Sequence, residues 1–193
     1  MKKIVLFIVL NLLVMPLLAQ QSKDSILAVI AETQKQNVDK QNTYVFRQTK
    51  HSPMFISGVV SNGKMVYGPA KYLVWQYTTP KKFSLIVMGD SIYTKSDGQR
   101  TPLSGNNGRI ARRITKIMKG LAEGNSLFDS RVFSTALSST AKTYVVTLIP
   151  QKREMRSIMQ KLYLTFDKTT KDILAVKIEG NDDSFTLIEF TKQ

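Results

Sequence analysis

The chain offers few groups that could make or break a covalent bond: one histidine, fourteen carboxylates and no cysteine in 193 residues. His51 stands beside Ser52-Pro53 in what reads as a loop or hairpin bend, where a surface histidine is expected. With no second histidine and no thiolate, the usual zinc ligand sets cannot be assembled. Neither a glycine-rich phosphate loop nor a nucleophile-elbow spacing occurs. Asp90, Asp97, Asp167, Asp182 and Asp183 fall in turn-forming stretches, where short carboxylates bond their own backbone, so they do not read as an acid and base pair. The chemistry to expect is non-covalent binding, not catalysis, with no metal and no cofactor. The groups suited to it are apolar and aromatic: Trp75, Tyr77, Phe46, Tyr93, Phe166 and Phe190. On composition alone these serve equally well as a solid core or as the wall of a cavity, and both readings stay open.

The element that must position Trp75 is legible in Gly68-Pro69-Ala70-Lys71-Tyr72-Leu73-Val74-Trp75-Gln76-Tyr77-Thr78-Thr79-Pro80. Leu73, Trp75 and Tyr77 fall on one side of a period-two pattern, Tyr72, Val74 and Gln76 on the other, which predicts a strand covered on both faces. Proline donates nothing to a sheet ladder, so Pro69 and Pro80 mark its ends. Similar runs predict further strands over 43–50, 54–61, 64–67, 83–88, 91–95, 127–135, 143–149, 160–166, 173–179 and 185–191. Asn62-Gly63, Gly89-Asp90 and Asp97-Gly98 read as hairpin turns. Ahead of the strands, Asp24 or Ser25 can cap a helix of about four turns that presents Ile26, Leu27, Ile30 and Ala31 on one face, with Gln34 continuing it. A second helix is predicted over 109–122, where Ile110, Ile114, Ile117, Met118 and Leu121 form a narrow stripe opposite Arg112, Arg113, Lys116 and Lys119. About ten or eleven strands with two helices predict a mainly β fold with α: a half-open antiparallel barrel, or strongly curved sheet, with helices covering its concave face. An apolar helix stripe over such an opening makes a lidded pocket.

The N-terminus reads as a secretory signal peptide over 1–19: Met1-Lys2-Lys3 is a short basic start, an apolar run follows to Val14, and Ala19 offers a small residue for cleavage. The expected mature domain is a single unit over 20–193, large enough to bury a core without disulfides. The formal charge of +14 becomes +12 once Lys2 and Lys3 leave with the signal. Export argues against a nucleic-acid partner, so an anionic lipid surface, lipopolysaccharide or an acidic partner patch is the expected complement.

The order Phe46-Arg47-Gln48, Ser57-Gly58-Val59, the tryptophan block, Gly89-Asp90…Ile92-Tyr93, Val146-Thr147-Leu148-Ile149-Pro150 and Leu162-Tyr163-Leu164-Thr165-Phe166-Asp167 resembles the periplasmic outer-membrane lipoprotein carrier proteins, LolA-type. The resemblance implies a monomeric periplasmic carrier whose cavity takes up lipoprotein acyl chains from an inner-membrane releasing complex and passes them to an outer-membrane acceptor. The cavity would be lined by Leu73, Trp75, Tyr77, Leu85 and Val87 of the sheet and by the stripe Ile110, Ile114, Ile117, Met118 and Leu121. Well-known members carry an arginine directly before the proline of the tryptophan strand, where it bonds the lid; here that residue is Gly68, leaving Arg47 or Lys71 as candidate lid contacts. The same fold also suits an envelope sensor or regulatory module, or a carrier of another lipid or hydrophobic cargo.

Overall fold

The computed structural model describes residues 23–36, 40–54, 57–68, 72–105, 108, 112, 115, 120 and 129–193. Eleven strands form one antiparallel sheet: β1 (Asn42–His51), β2 (Val59–Gly68), β3 (Tyr72–Thr79), β4 (Phe83–Met88), β5 (Ser91–Ser96), β6 (Gln99–Pro102), β7 (Phe133–Ser139), β8 (Thr143–Pro150), β9 (Lys161–Asp167), β10 (Ile173–Glu179) and β11 (Phe185–Lys192). Their order is β6-β5-β4-β3-β2-β1-β11-β10-β9-β8-β7, so the sheet is open, with β6 and β7 as its edges. Consecutive strands pair with each other except β6 and β7, which are the two edges, and the two halves are joined where β1 pairs with β11. The half-open β architecture expected from the sequence is the one observed.

One face of the sheet carries the core. Along the ladders Tyr44 and Phe46 align with Lys192 and Phe190, Trp75 with Met65 and Leu85, and Leu164 with both Val176 and Val146. Phe46, Val87, Val146, Leu148, Leu162, Leu164, Phe166 and Val176 are nearly inaccessible, and with Trp75 and Leu73 they belong to a single hydrophobic cluster. A sheet that buries one face on itself in this way must curl around it.

The helix over 23–36 lies on that face. Leu27 and Ile30 join the cluster, and Gln34 is buried one turn further on, as the i, i+3, i+4 pattern predicts. Its start is tied to β7 by Lys23 Nζ donating to the Thr135 carbonyl at 2.7 Å, and its end to the β9–β10 turn by Gln34 Nε2 donating to the Lys171 carbonyl at 2.8 Å. The helix therefore crosses β7, β8 and β9. Asp24 and Ser25 are themselves helical and do not precede the helix as caps.

Other boundaries differ for identifiable reasons. Asn62-Gly63 is not a hairpin turn: both residues lie inside β2, at an irregularity in its pairing with β3. β1 ends at His51 and β2 begins at Val59, so in place of the predicted strands 54–61 and 64–67 there is one strand, Val59–Gly68, and Met54, Ser57 and Gly58 are outside it. The strand expected over 127–135 begins at Phe133 and runs to Ser139, and β6, a wholly exposed four-residue edge, has no apolar alternation to announce it. The basic stretch before β9 contains a single-turn helix, Arg153–Arg156. Gly89-Asp90 and Asp97-Gly98 are hairpin turns as expected, with positive φ at Gly89, Asp97 and Gly98.

Candidate functional site

The residues placed on the inner face by β1, β3, β4 and β11 form a continuous aromatic track. Phe83 stacks on Tyr77 at 4.5 Å between centroids, and Tyr77 meets Phe46 edge-on at 5.2 Å. Phe46 packs on Trp75 at 4.7 Å, and Trp75 meets Phe190 edge-on at 5.9 Å. Tyr44 closes the series against Phe190 at 6.0 Å. Burial deepens along it: Phe83 is exposed, Tyr77 half-buried, and Phe46, Trp75 and Phe190 buried. Such offset and edge-to-face pairs add to the area term and hold the rings in one arrangement.

Glycine makes room for this wall. A Cβ on Gly63 would lie 2.0 Å from the Gln76 carbonyl oxygen and 2.6 Å from Phe46 Cζ, so the Phe46 ring occupies the space where a side chain of β2 would stand. Polar groups accompany the outer half of the track. Tyr77 Oη donates to Gln48 Oε1 at 2.9 Å. Burial pushes the Tyr77 phenol above its ordinary pKa, while the hydrogen-bonding groups of Trp75 and Gln48 pull it partly back. Trp75 Nε1 is buried and meets no acceptor at hydrogen-bond distance among the described residues, though its N–H lies close enough to the Tyr77 hydroxyl to lower that phenol's pKa. A buried donor left unpaired costs about 1–3 kcal/mol. The hydroxyls of Thr115 and Thr135 are likewise buried and without a hydrogen-bond partner among the described residues.

Of the residues expected to line a cavity, Leu73, Trp75 and Val87 are buried on the inner face, and Tyr77 and Leu85 pack against the same cluster half-buried. The stripe Ile110, Ile114, Ile117, Met118 and Leu121 lies outside the described residues, as does Lys71. Within the inserted segment 105, 108, 112, 115 and 120 are helical; Gly108, Thr115 and Gly120 are buried and Arg112 is exposed. β6 and β7, between which this segment lies in the sequence, are the two opposite edges of the open sheet. Arg47 is on the opposite, outer face, half-exposed, with Nη1 3.5 Å from Glu189 Oε2, which places it away from the inner side. His51 is not simply at the surface: at the end of β1 it is half-buried and stacks on Phe185 at 5.1 Å. Among the described residues no cluster of side chains could hold a metal. Phe83 was the lining residue not expected from sequence, although it and Tyr77 sit on the same parity either side of the Pro80 turn.

No protein-family model matches the sequence, and no curated protein matches it. Solved structures with a similar course of the chain include a LolA superfamily protein from Nitrosomonas europaea, 10% identical, TM-score 0.42, covering 85% of this chain and 90% of that one. A putative outer membrane lipoprotein-sorting protein domain from Vibrio parahaemolyticus is 10% identical, TM-score 0.41, with 85% and 90% covered. The Mycobacterium tuberculosis lipoprotein LppX is 12% identical, TM-score 0.41, with 87% and 94% covered. At TM-scores below 0.5 these likenesses carry no weight for function, which rests on the residues of the site; the open antiparallel sheet that the LolA-type resemblance implies is seen directly in the strand order.

Proposed function

We propose that the protein is a carrier that binds acyl chains non-covalently against the inner face, beside Trp75, Tyr77, Leu73, Leu85 and Val87, and shelters them while they cross an aqueous envelope compartment toward the outer membrane. The observation that carries this reading is the aromatic track that begins at exposed Phe83 and runs through Tyr77 and Phe46 to buried Trp75 and Phe190. Each methylene withdrawn from water is worth about 0.8 kcal/mol, so an acyl chain gains on the order of 10 kcal/mol from such a surface and cannot travel without one. Handover to an outer-membrane acceptor requires only that the acceptor bind the chain better. The lipoprotein cargo, the inner-membrane releasing complex and the periplasmic location belong to the same proposal. Among the described residues no helix is long and apolar enough to cross a membrane.

Trp75 is the only tryptophan, so its fluorescence reports on this site alone. Titration with fatty acids brominated along the chain quenches it if the chain lies against the indole. Saturable quenching, stronger for deep than for carboxyl-proximal bromines, is expected. Unquenched emission at all bromine positions, with the protein folded, would overturn the proposal.

A further inference from the structure

Four of the exposed large apolar side chains gather at one end of the sheet. Met54 in the β1–β2 connection is 85% exposed, Val59 and Val60 at the start of β2 are 52% and 38%, and Phe83 at the start of β4 is 39%. Strand register explains why they share an end. Val59 stands opposite Lys50, and Tyr77 opposite Phe83, both next to the turns that connect these strands. The β2–β3 ladder reaches only to Asn62 opposite Thr79, so Val59, Val60 and Ser61 continue past the end of β3. At about 3.3 Å per residue the β1–β2 hairpin overhangs the β3–β4 turn by roughly 10 Å. Exposed lysines stand at the same end: Lys50 on the hairpin and Lys81 and Lys82 in the turn. The β10–β11 turn, which carries Asp182 and Asp183, lies at the same end beside β1, and Asp182 is in the field of Lys50.

Single exposed apolar side chains are ordinary, but one end of a sheet that carries three of them on a protruding hairpin and a fourth beside the next turn, together with three exposed lysines, is suited to an interface that is apolar below and anionic above. We infer that this end of the sheet docks on an anionic lipid bilayer, with Met54, Val59 and Phe83 entering the headgroup region and Lys50, Lys81 and Lys82 meeting lipid phosphates. Charge complementarity selects this occupant: the chain is strongly basic as a whole, and each lysine held near an anionic surface contributes about 1 kcal/mol. The docking end also carries Phe83, where the aromatic track begins, so a chain leaving the bilayer meets the track at its exposed end. The inference does not depend on acyl carriage, since docking is read by vesicle binding and carriage by Trp75 quenching in solution without vesicles.

The test is flotation of the purified protein with vesicles of phosphatidylcholine alone and of phosphatidylcholine with about one third phosphatidylglycerol. The expected result is flotation with the anionic vesicles and at least tenfold weaker binding to the neutral ones. The pair Met54→Asp and Val59→Asp abolishes flotation, and the pair Lys81→Glu and Lys82→Glu reduces it to the neutral-vesicle level. A charge-matched control, Lys40→Glu with Lys142→Glu at the opposite end of the strands, leaves flotation within twofold of the parent. Near-UV circular dichroism confirms that each variant is folded. Three outcomes overturn the inference: no flotation of the parent protein, flotation indifferent to the Met54 and Val59 substitutions, or equal loss in the Lys40 and Lys142 control, which would mean diffuse attraction of a basic protein. Binding to an acidic protein patch in place of lipid would appear as the first of these.

Discussion

Gly63 and Gly68 lie five residues apart on β2 and have opposite requirements. At Gly63 an added Cβ would collide with backbone, the Gln76 carbonyl, as well as with the Phe46 ring, and backbone cannot move aside without breaking the β2–β3 ladder. At Gly68 an added Cβ meets nothing within 4 Å among the described residues, and its φ is not in the left-handed region. Gly63→Ala is therefore expected to destabilise the protein by about 3 kcal/mol or more, the upper end of overpacking costs. Gly68→Ala is expected to be neutral or stabilising by up to about 1 kcal/mol, through reduced freedom of the unfolded chain. Urea unfolding midpoints check both, and a Gly63→Ala protein as stable as the parent would show that the Phe46 ring is not held as described. The sequence suggested a turn at Asn62-Gly63 because that dipeptide favours one. What it could not show was an aromatic ring, seventeen residues earlier in the chain, folded over the glycine.

Among the elements, the N-terminal helix was the most legible, because amphipathic spacing is written within a dozen residues. Leu27, Ile30 and Gln34 all face inward as the pattern requires. Its two end contacts, Lys23 to the Thr135 carbonyl and Gln34 to the Lys171 carbonyl, span more than a hundred residues of sequence and left no local trace. Ile30 is fully buried in the cluster under this helix, so Ile30→Ala is expected to cost about 2–5 kcal/mol, read as a shift in thermal or urea unfolding. A loss below 1 kcal/mol would mean that the helix is not packed on the sheet. The central strands were equally legible through alternation, whereas β6 was not, since an exposed edge strand has no buried face to impose a period.

At the scale of the whole molecule, a strongly basic chain relies on few carboxylates, and most of those resolved sit in stabilising bonds. The Arg131 guanidinium holds the Asp129 carboxyl down to about 2. Backbone N–H groups of Thr170 and Thr169 lower Asp167, the Ser184 hydroxyl lowers Asp182, and the Lys177 ammonium lowers Glu179. Because folding lowers these values, the stability they contribute is complete above the ordinary carboxylate range and is lost as pH falls through the depressed values. Stability is thus expected to fall between about pH 4 and pH 2, as protonation also leaves the lysines unopposed. Thermal unfolding from pH 6 to pH 2 measures this, and Asp129→Asn is expected to flatten the acid limb; an unchanged slope would dismiss the Asp129 contribution. Asp182 is exposed and Asp129, Asp167 and Glu179 are partly exposed, so solvent screening keeps each contribution small.

Local periodicity decided from sequence alone that the chain is mainly β, that a helix precedes the strands with Leu27 and Ile30 inward, that Leu73, Trp75 and Tyr77 share a face, and that no catalytic constellation is spelled out. These features depend on neighbours a few residues apart, where side-chain direction follows from backbone period. Only the tertiary structure decided that β1 pairs with β11, that the sheet stays open between β6 and β7, and that Phe83, Tyr77, Phe46, Trp75 and Phe190 form one track. It also set Arg47 on the outer face and Met54, Val59 and Phe83 at one lysine-bearing end. Those outcomes depend on register between strands far apart in the chain, and register is chosen by how the whole apolar face can be buried at once.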